Sequence, residues 1–413
     1  MKKGLPKNWI EVSLSEITKN VKGKKPKIQS EIEFEGSIPY MDIKALEYGV
    51  LRQYADIESS KLFEEGDIAM VWDGARSGWV SKTNFGAIGS TIVALKPINF
   101  NSDFLYYYLL EKYPFINSNA RGVGIPHVDP TVFWGLKFPL PPLEEQKRIV
   151  SKLDTFFAQL ENIKTSMEKI PVLLKKFRQQ VLTQAVAGKL TEEWRKGKNL
   201  EEWREDELGK ICNLKAGKFV PSSEISNEKQ EGYYPCYGGN GLRGYVKSFT
   251  HIGKYSLIGR QGALCGNVHL IEGQFHATEH ALVVTPLTKI DEIWLFFKLT
   301  SLELINYSKG VAQPGLSVMN LNPIPITIPP IKEQKEIVAR IDSLFTTADA
   351  IEKKYKSLKQ KIDILPQAIL HKAFKGELTG QLDSDGDARE LLRQIQELKI
   401  ETSKKEKKNK IRN

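Results

Sequence analysis

Two stretches of the chain carry the same heptad stripe. Ile149, Leu153, Phe156, Leu160, Ile163, Met167, Ile170, Leu174, Phe177 and Val181 step by four and three. Ile337, Ile341, Leu344, Ala348, Ile351, Tyr355, Leu358, Ile362, Leu365 and Ile369 repeat them at an offset of 188 residues. Ten consecutive apolar a and d positions predict a long helix in each stretch, with a coiled-coil seam. The seam covers 33 residues, about 50 Å at 1.5 Å per residue. Pro171 and Pro366 interrupt the stripes at non-equivalent places, and each is expected to kink or locally break its helix. Gly188 and Gly376 suit the helix ends.

A mixed segment precedes each helix, at residues 1–142 and 196–330. Short strand-like runs (Asp67–Trp72, Thr91–Lys96, Tyr255–Ile258, Ala281–Thr285) are broken by Gly, Pro and Asn, the punctuation of turns. Each segment also holds one aromatic helical stretch, Asp103–Lys112 and Asp291–Leu302, and Asp103 and Asp291 are the expected N-caps. Each segment reads as one compact domain. The predicted division is 1–142, a first helix over 143–195, a second domain over 196–330, a second helix over 331–378, and a C-terminal helix and basic tail over 379–413.

The helices repeat in sequence as well as in pattern. PPLEEQKRIVSKLDTFF (Pro141–Phe157) and PPIKEQKEIVARIDSLF (Pro329–Phe345) agree at nine of 17 positions, and LTQAVAGKLT (Leu182–Thr191) aligns without a gap to LHKAFKGELT (Leu370–Thr379). A period of 188 residues is far longer than the roughly 20–50 residues of a solenoid unit, so it marks a duplicated module. The domains match only loosely. Trp9, Leu14, Ile17 and Gly23 align with Trp203, Leu208, Ile211 and Gly217. Ala75–Gly78 resembles Gly259–Gly262, and Gly122, Val123 and Pro126 align with Gly310, Val311 and Pro314. The scaffold is kept while the surface changes.

With one helix per copy, the simplest partner for each seam is the other seam. The expected fold class is α+β: two α/β domains joined by two long helices that form an antiparallel coiled coil, with pseudo-twofold symmetry. A parallel pair, or pairing between chains, also fits the pattern.

Composition narrows the class further. Hydrophobic content of 41% with 27% charged residues is ordinary for a globular protein. No apolar run approaches the roughly 18 residues of a membrane span, and MKKGLPKNWIE lacks the apolar core of a signal peptide. Cys212, Cys236 and Cys265 form no CxxC pair, which fits a reducing cytoplasm better than a disulfide framework or a zinc site. The net charge of +10 favours nucleic acid as a partner, although Ser403–Asn413 alone supplies +5 of it.

Three catalytic or ligand motifs occur and lack their structural context. His276-Ala277-Thr278-Glu279-His280 spells HxxEH, but a strand-like run comes immediately after it, and a zinc site of that type needs both histidines on one helix face. Gly239–Gly244 matches GxGxxG, yet Tyr245–Phe249 alternates like a strand, so a glycine turn or a DNA-facing loop is the better reading. Asp383–Asp387 resembles the start of a calcium loop but has Gln394 at the twelfth position; capping of a helix around Ala388–Leu398 accounts for it. No Walker loop, GxSxG elbow or amino-methyltransferase motif is present. The chain reads as non-catalytic and without a metal or cofactor of its own.

The repeated PP-[LI]-x-EQ-K-x-IV opening, the A-x-x-G-x-LT close and the tryptophans Trp9 and Trp203 heading two divergent domains resemble the specificity subunits of type I restriction–modification systems. The resemblance spans essentially the whole chain. It implies that each domain is a target-recognition domain reading one half of a bipartite site in double-stranded DNA. It implies that the coiled coil sets the spacer between the halves. It further implies that the helices dock two modification subunits, which carry S-adenosylmethionine and methylate adenine, and that restriction subunits join them. Base reading favours Arg on guanine and Gln or Asn on adenine, while phosphates take Lys and Arg. Loop residues beside glycines are therefore the candidates: Lys22, Lys24, Lys25, Arg76, Arg121 and His127 in the first domain; Lys215, Lys218, Arg243, Arg260, Gln261, Lys309 and Gln313 in the second. Arg76 and Arg260 are expected to occupy matching places. The competing reading is a coiled-coil scaffold that binds only proteins.

Overall fold

A computed structural model describes residues 4–83, 85–262, 264–308 and 315–412. The first domain contains β1 (Ile10–Ser13), α1 (Leu14–Ile17), β2 (Thr18–Lys22), β3 (Gln29–Ser30), β4 (Ser37–Met41), α2 (Ile43–Tyr48), β5 (Tyr54–Asp56), β6 (Ile68–Val71), β7 (Val80–Lys82), β8 (Ala87–Ile88), β9 (Ile92–Pro97), α3 (Ser102–Ser118), α4 (Pro130–Trp134) and β10 (Lys137–Leu140). The long helix α5 (Leu143–Val186) and the short α6 (Glu192–Arg195) come next. The second domain contains β11 (Arg204–Glu207), α7 (Leu208–Ile211), β12 (Cys212–Ala216), β13 (Tyr234–Gly238), β14 (Gly241–Val246), β15 (His251–Gly259), β16 (Val268–Ala277), β17 (Ala281–Pro286), α8 (Glu292–Ser301), α9 (Val318–Leu321) and β18 (Pro325–Ile328). After it come α10 (Ile331–Phe374) and α11 (Ala388–Arg412).

These elements gather into two compact units, Met1–Thr165 with Leu358–Asn413, and Ser166–Ser357. Each 44-residue helix, α5 and α10, gives one part to each unit.

In the first unit, β2-β9-β6-β7 form an antiparallel sheet, and β3-β5-β4-β8 form a second sheet in which β4 and β8 run parallel. The run Ile68–Val71 is buried at every position, as an apolar strand covered on both faces must be. One face of the first sheet packs with Phe104, Tyr108 and Phe138 and with Leu153, Leu370 and Phe374 of the long helices. Helix α11 closes the same core with Ala388, Leu391 and Ile395.

In the second unit one six-stranded sheet, ordered β12-β17-β15-β16-β13-β14, takes the place of those two sheets. The difference lies in one strand. β16 is unbroken, so it pairs with β15 along most of its length and with β13 at its end. Its counterpart in the first unit is split into β7 and β8. The core joins Trp294, Leu295 and Leu299 of α8 to Val181, Leu182 and Ala185 of α5 and to Ile337 and Ile341 of α10. Within this unit Arg178 reaches Asp349 at 2.7 Å and Glu352 at 2.9 Å. Val181 and Leu182 share a core with Ile337 and Val338. Positions rise along one helix as they fall along the other, so the two segments run antiparallel.

The repeated Glu-Gln dipeptide is the joint between domain and helix. Trp9 Nε1 donates to Glu145 Oε2 at 2.8 Å, while Thr379 Oγ1 and Gln381 Nε2 donate to Oε1. Gln146 Nε2 donates to Pro141 O, and its Oε1 accepts from Asn101 N. The second unit repeats this closely. Glu333 accepts from Trp203 Nε1 at 2.8 Å and Thr191 Oγ1 at 2.7 Å, and Gln334 bridges Pro329 O and Asp291 N. All four side chains are buried, where an unpaired carboxylate or amide is costly and a fully satisfied one fixes geometry. Satisfying these groups accounts for the recurrence of the motif without invoking chemistry.

Three expectations about the elements change. The N-cap of α3 is Asn101, whose side chain accepts from Phe104 N; Asp103 lies in the first turn. Asp291, by contrast, caps α8 as expected. Pro171 and Pro366 sit inside unbroken helices; each removes one N–H donor, and packing on either side keeps the turns around it helical. The seam is only partly a core. Ile149, Leu153, Leu160, Leu174, Val181, Ile337, Ile341 and Ala348 are buried, whereas Phe156, Ile163, Phe177, Ile351, Leu358 and Leu365 are exposed. Of the buried positions, Ile149 and Leu153 belong to the core of the first unit and Val181, Ile337 and Ile341 to that of the second; beside them Tyr107 of α3 stacks on Phe157 and Phe297 of α8 meets Phe345.

Candidate nucleic-acid interface

The candidate loops lie at one end of each sheet, where β2 or β12 leaves the central strands. Gly23 N bonds Ile92 O and Gly217 N bonds Ala281 O. A Cβ at either glycine would come within 2.1 Å of a backbone oxygen, so only glycine lets the chain pass. Lys24 and Lys218 come directly after these glycines, and both are exposed, as are Lys25 and Lys215. Among the described residues Lys24 and Lys25 make no ion pair.

The hairpin beyond the central strand shows how the copies correspond. In the first unit Val71 N bonds Trp79 O, Gly78 N bonds Val71 O and Val128 N bonds Trp72 O. In the second, Gly259 N bonds Asn267 O, Gly266 N bonds Gly259 O and Leu316 N bonds Arg260 O. Isolated bridges join Asp73 to His127 and Gln261 to Gly315. Every pair is related by the same 188-residue offset. Gly78 and Gly266 share φ of 91° and 89°, the left-handed region open to glycine. Arg260 therefore matches Trp72, Gln261 matches Asp73, and Arg76 matches Leu264. The expected equivalence of Arg76 and Arg260 is wrong by four positions; those two short strings resemble each other in letters and occupy different turns of the loop.

In the first unit three of the basic candidates are tied to carboxylates. Lys22 Nζ lies 3.2 Å from Asp73 Oδ2, Arg76 pairs with Glu47, and Arg121 pairs with Asp129. The bond to Glu47 raises the Arg76 pKa above its ordinary value. Arg121 and His127 exchange backbone hydrogen bonds of 2.9 and 2.8 Å and close the base of a loop. The loop tip carries Val123, fully exposed, and Ile125 at 71% exposure, between Gly122 and Pro126. Gly74 N bonds Pro126 O at 2.7 Å, which seats this loop against the hairpin.

The second unit gathers its candidates around the turn after β16. His276 Nε2 lies 3.1 Å from Lys218 O, and Lys218 N bonds Ala277 O. His251 stacks on Phe275; burial lowers its pKa first, and the positive charges of His276, Lys218 and Lys215 add to that. On the other side Arg260 donates to Glu279 O at 3.2 Å, and Gln261 Oε1 lies 3.0 Å from His280 Nδ1. The β13–β14 turn, which contains the GxGxxG string, packs on Gly259 and Arg260 and brings Arg243 to the same place. The HxxEH string spans the end of β16 and this turn, so its histidines do not share a helix face. Lys309 and Gln313 lie outside the described residues, as do Gly310, Val311 and Pro314 of the loop alignment.

Asp73, Val123, Ile125 and His280 were not among the sequence candidates. The signal for Asp73 was available, because the gap-free 188-residue offset of the helices continues through the hairpin.

Two divergent domains on one duplicated scaffold, each anchored by a tryptophan to the first turn of a long helix, define the class of a two-unit protein with a repeated joint. Residues 6–172 and 200–360 each match the type I restriction modification DNA specificity domain, and the chain belongs to that family. It is 30% identical to the type I restriction enzyme EcoDI specificity subunit of Escherichia coli, over 91% of this chain and 90% of that one. It is 36% identical to the EcoprrI specificity subunit of Escherichia coli, over 61% of this chain and 63% of that one. The fold is shared with the HsdS subunit from Thermoanaerobacter tengcongensis, with TM-score 0.65 at 20% identity, over 91% of this chain and 99% of that one.

Proposed function

We propose that this chain is the non-catalytic DNA-reading subunit of a type I restriction–modification enzyme. Each domain contacts one half of a bipartite duplex site, and the paired helices set the spacer between the halves. The helices also dock two methyltransferase subunits, which bring S-adenosylmethionine, and restriction subunits join that complex. The observation that carries this reading is the contrast between copies. The joint residues Trp9, Glu145 and Gln146 recur as Trp203, Glu333 and Gln334 with the same bonds, while the hairpin ends change from Trp72 and Asp73 to Arg260 and Gln261. A constant frame with variable polar groups is what two different readouts on one spacer require. The exposed seam positions and a groove of about 400 Å³ lined by Pro171, Leu174, Leu182 and Tyr355 in the second unit suit protein docking.

The test mixes the chain with a type I methyltransferase subunit from the same genome and measures binding to duplexes carrying that genome's bipartite methyladenine motif. Selective binding that needs both half-sites is expected. Tight assembly with that subunit and no sequence preference would favour the scaffold reading instead.

A further inference from the structure

The loop register places two different polar sets at one structural position, and their chemistry differs as a set. In the first unit that position holds Asp73, with Lys22 Nζ 3.2 Å away across the sheet. In the second unit Asp73 becomes Gln261, and Lys22 becomes Ala216, since Lys22 opposes Val93 and Ala216 opposes the matching Leu282. An acceptor-only carboxylate and a donor-only ammonium have been exchanged together for one amide that carries both functions. The first pair is within reach of solvent, at 53% exposure for Lys22 and 27% for Asp73, and Gln261 is exposed.

We propose that Asp73 and Lys22 read one C·G base pair of the first half-site, and that Gln261 reads an adenine of the second. This rests on the DNA-reading role proposed for the chain. In the major groove cytosine offers its 4-amino hydrogens, which a carboxylate accepts, and its guanine partner offers O6 and N7 side by side, which an ammonium donates to. A·T suits the pair less well, because thymine offers the ammonium a single acceptor, O4. Adenine presents N6–H beside N7, the complement of a Gln amide. His280 Nδ1, 3.0 Å from the Gln261 side-chain amide, holds that amide at the mouth of the hairpin. The backbone supports precision at both places, because Asp73 and Gln261 are each bridged to a second strand segment at the hairpin mouth.

The experiment uses the full chain assembled with its methyltransferase subunits and selects bound sequences from duplexes randomised across both half-sites. Asp73→Asn and Lys22→Gln should each relax one and the same C·G position in one half-site, with roughly 10- to 100-fold lower discrimination there. The other half-site should be unchanged, which also shows that the variant complex is folded. Gln261→Glu should alter a single A·T position in the opposite half-site. Selection of the unaltered wild-type motif by Asp73→Asn and Lys22→Gln would overturn the proposal, as would a sensitive position that is A·T. If Asp73→Asn gives no folded complex, Lys22→Gln at its exposed site decides alone. A wild-type complex that selects no bipartite motif would be a failure of the DNA-reading role itself, and is recognised before any variant is made.

Discussion

Trp9 Nε1 donates to Glu145 Oε2 at 2.8 Å across 136 residues of sequence, and Trp203 does the same to Glu333 across 130. In each case an indole at the head of a domain is bonded to the first turn of the helix at its end. Domain and connector are thereby set at one orientation inside each unit.

Replacing Glu333 by Ala strips the partner from Trp203, Thr191 and Arg195 in a buried setting. The expected loss is about 3 kcal/mol, or roughly 6–12 °C in the unfolding transition of a unit of this size. Glu333→Gln keeps the shape and should lose less. Calorimetry that finds the two variants equal would contradict the hydrogen-bonded account.

Acid should loosen the first unit through Asp385. Its carboxylate is bonded by Arg148, which holds its pKa below the ordinary 3.8. A depressed folded-state pKa contributes stability that is complete above the ordinary value and disappears as pH falls through the lower one. The unfolding midpoint should therefore drop on acidification below about pH 4, and Asp385→Asn should be less stable at pH 7 with a flatter acid limb.

The Val123–Ile125 tip is apolar, exposed and flanked by Arg121 and His127. If it enters a DNA groove, Val123→Asp or Ile125→Asp should weaken binding by about tenfold or more, since each places a charge against phosphate-lined surface. The unfolding temperature should not change, because neither side chain belongs to a core.

Lys24 and Lys218 sit directly after equivalent glycines and are exposed in both units. As phosphate contacts, each should contribute about 0.9 to the slope of log K against log salt. The double Ala variant should reduce that slope by roughly two units while the preferred sequence stays the same. A changed sequence preference would assign them to base reading instead.

Much of the fold was legible because its periods are long and regular. The seams gave both helices, and Ile68–Val71 and Ala281–Val284 gave central strands, because burial on both faces leaves nothing but apolar residues there. The glycine helix ends at Gly188 and Gly376 also came from pattern alone, and the antiparallel pairing was the simplest of the arrangements that the pattern allowed. The capping of α3 by Asn101 did not, because Asn101 and Asp103 are both good caps and only backbone geometry chooses between them. The site was legible as loops and illegible as pairs. Lys22 meeting Asp73, or Gln261 meeting His280, depends on sheet register between distant strands. The Arg76–Arg260 match failed because four letters of resemblance outweighed a constant offset, whereas the hydrogen-bond register keeps to the offset.

The division of the two long helices between the units has a temporal side. Residues 166–357 are contiguous, so the second unit has all its parts while the ribosome is still at work. The first unit combines residues up to 165 with residues from 358 onward. Its core lacks Leu370, Phe374 and Ile395 until the last part of the chain is made. The first unit is thus completed after the second. Truncation before Leu370 should accordingly damage the first unit while sparing the second.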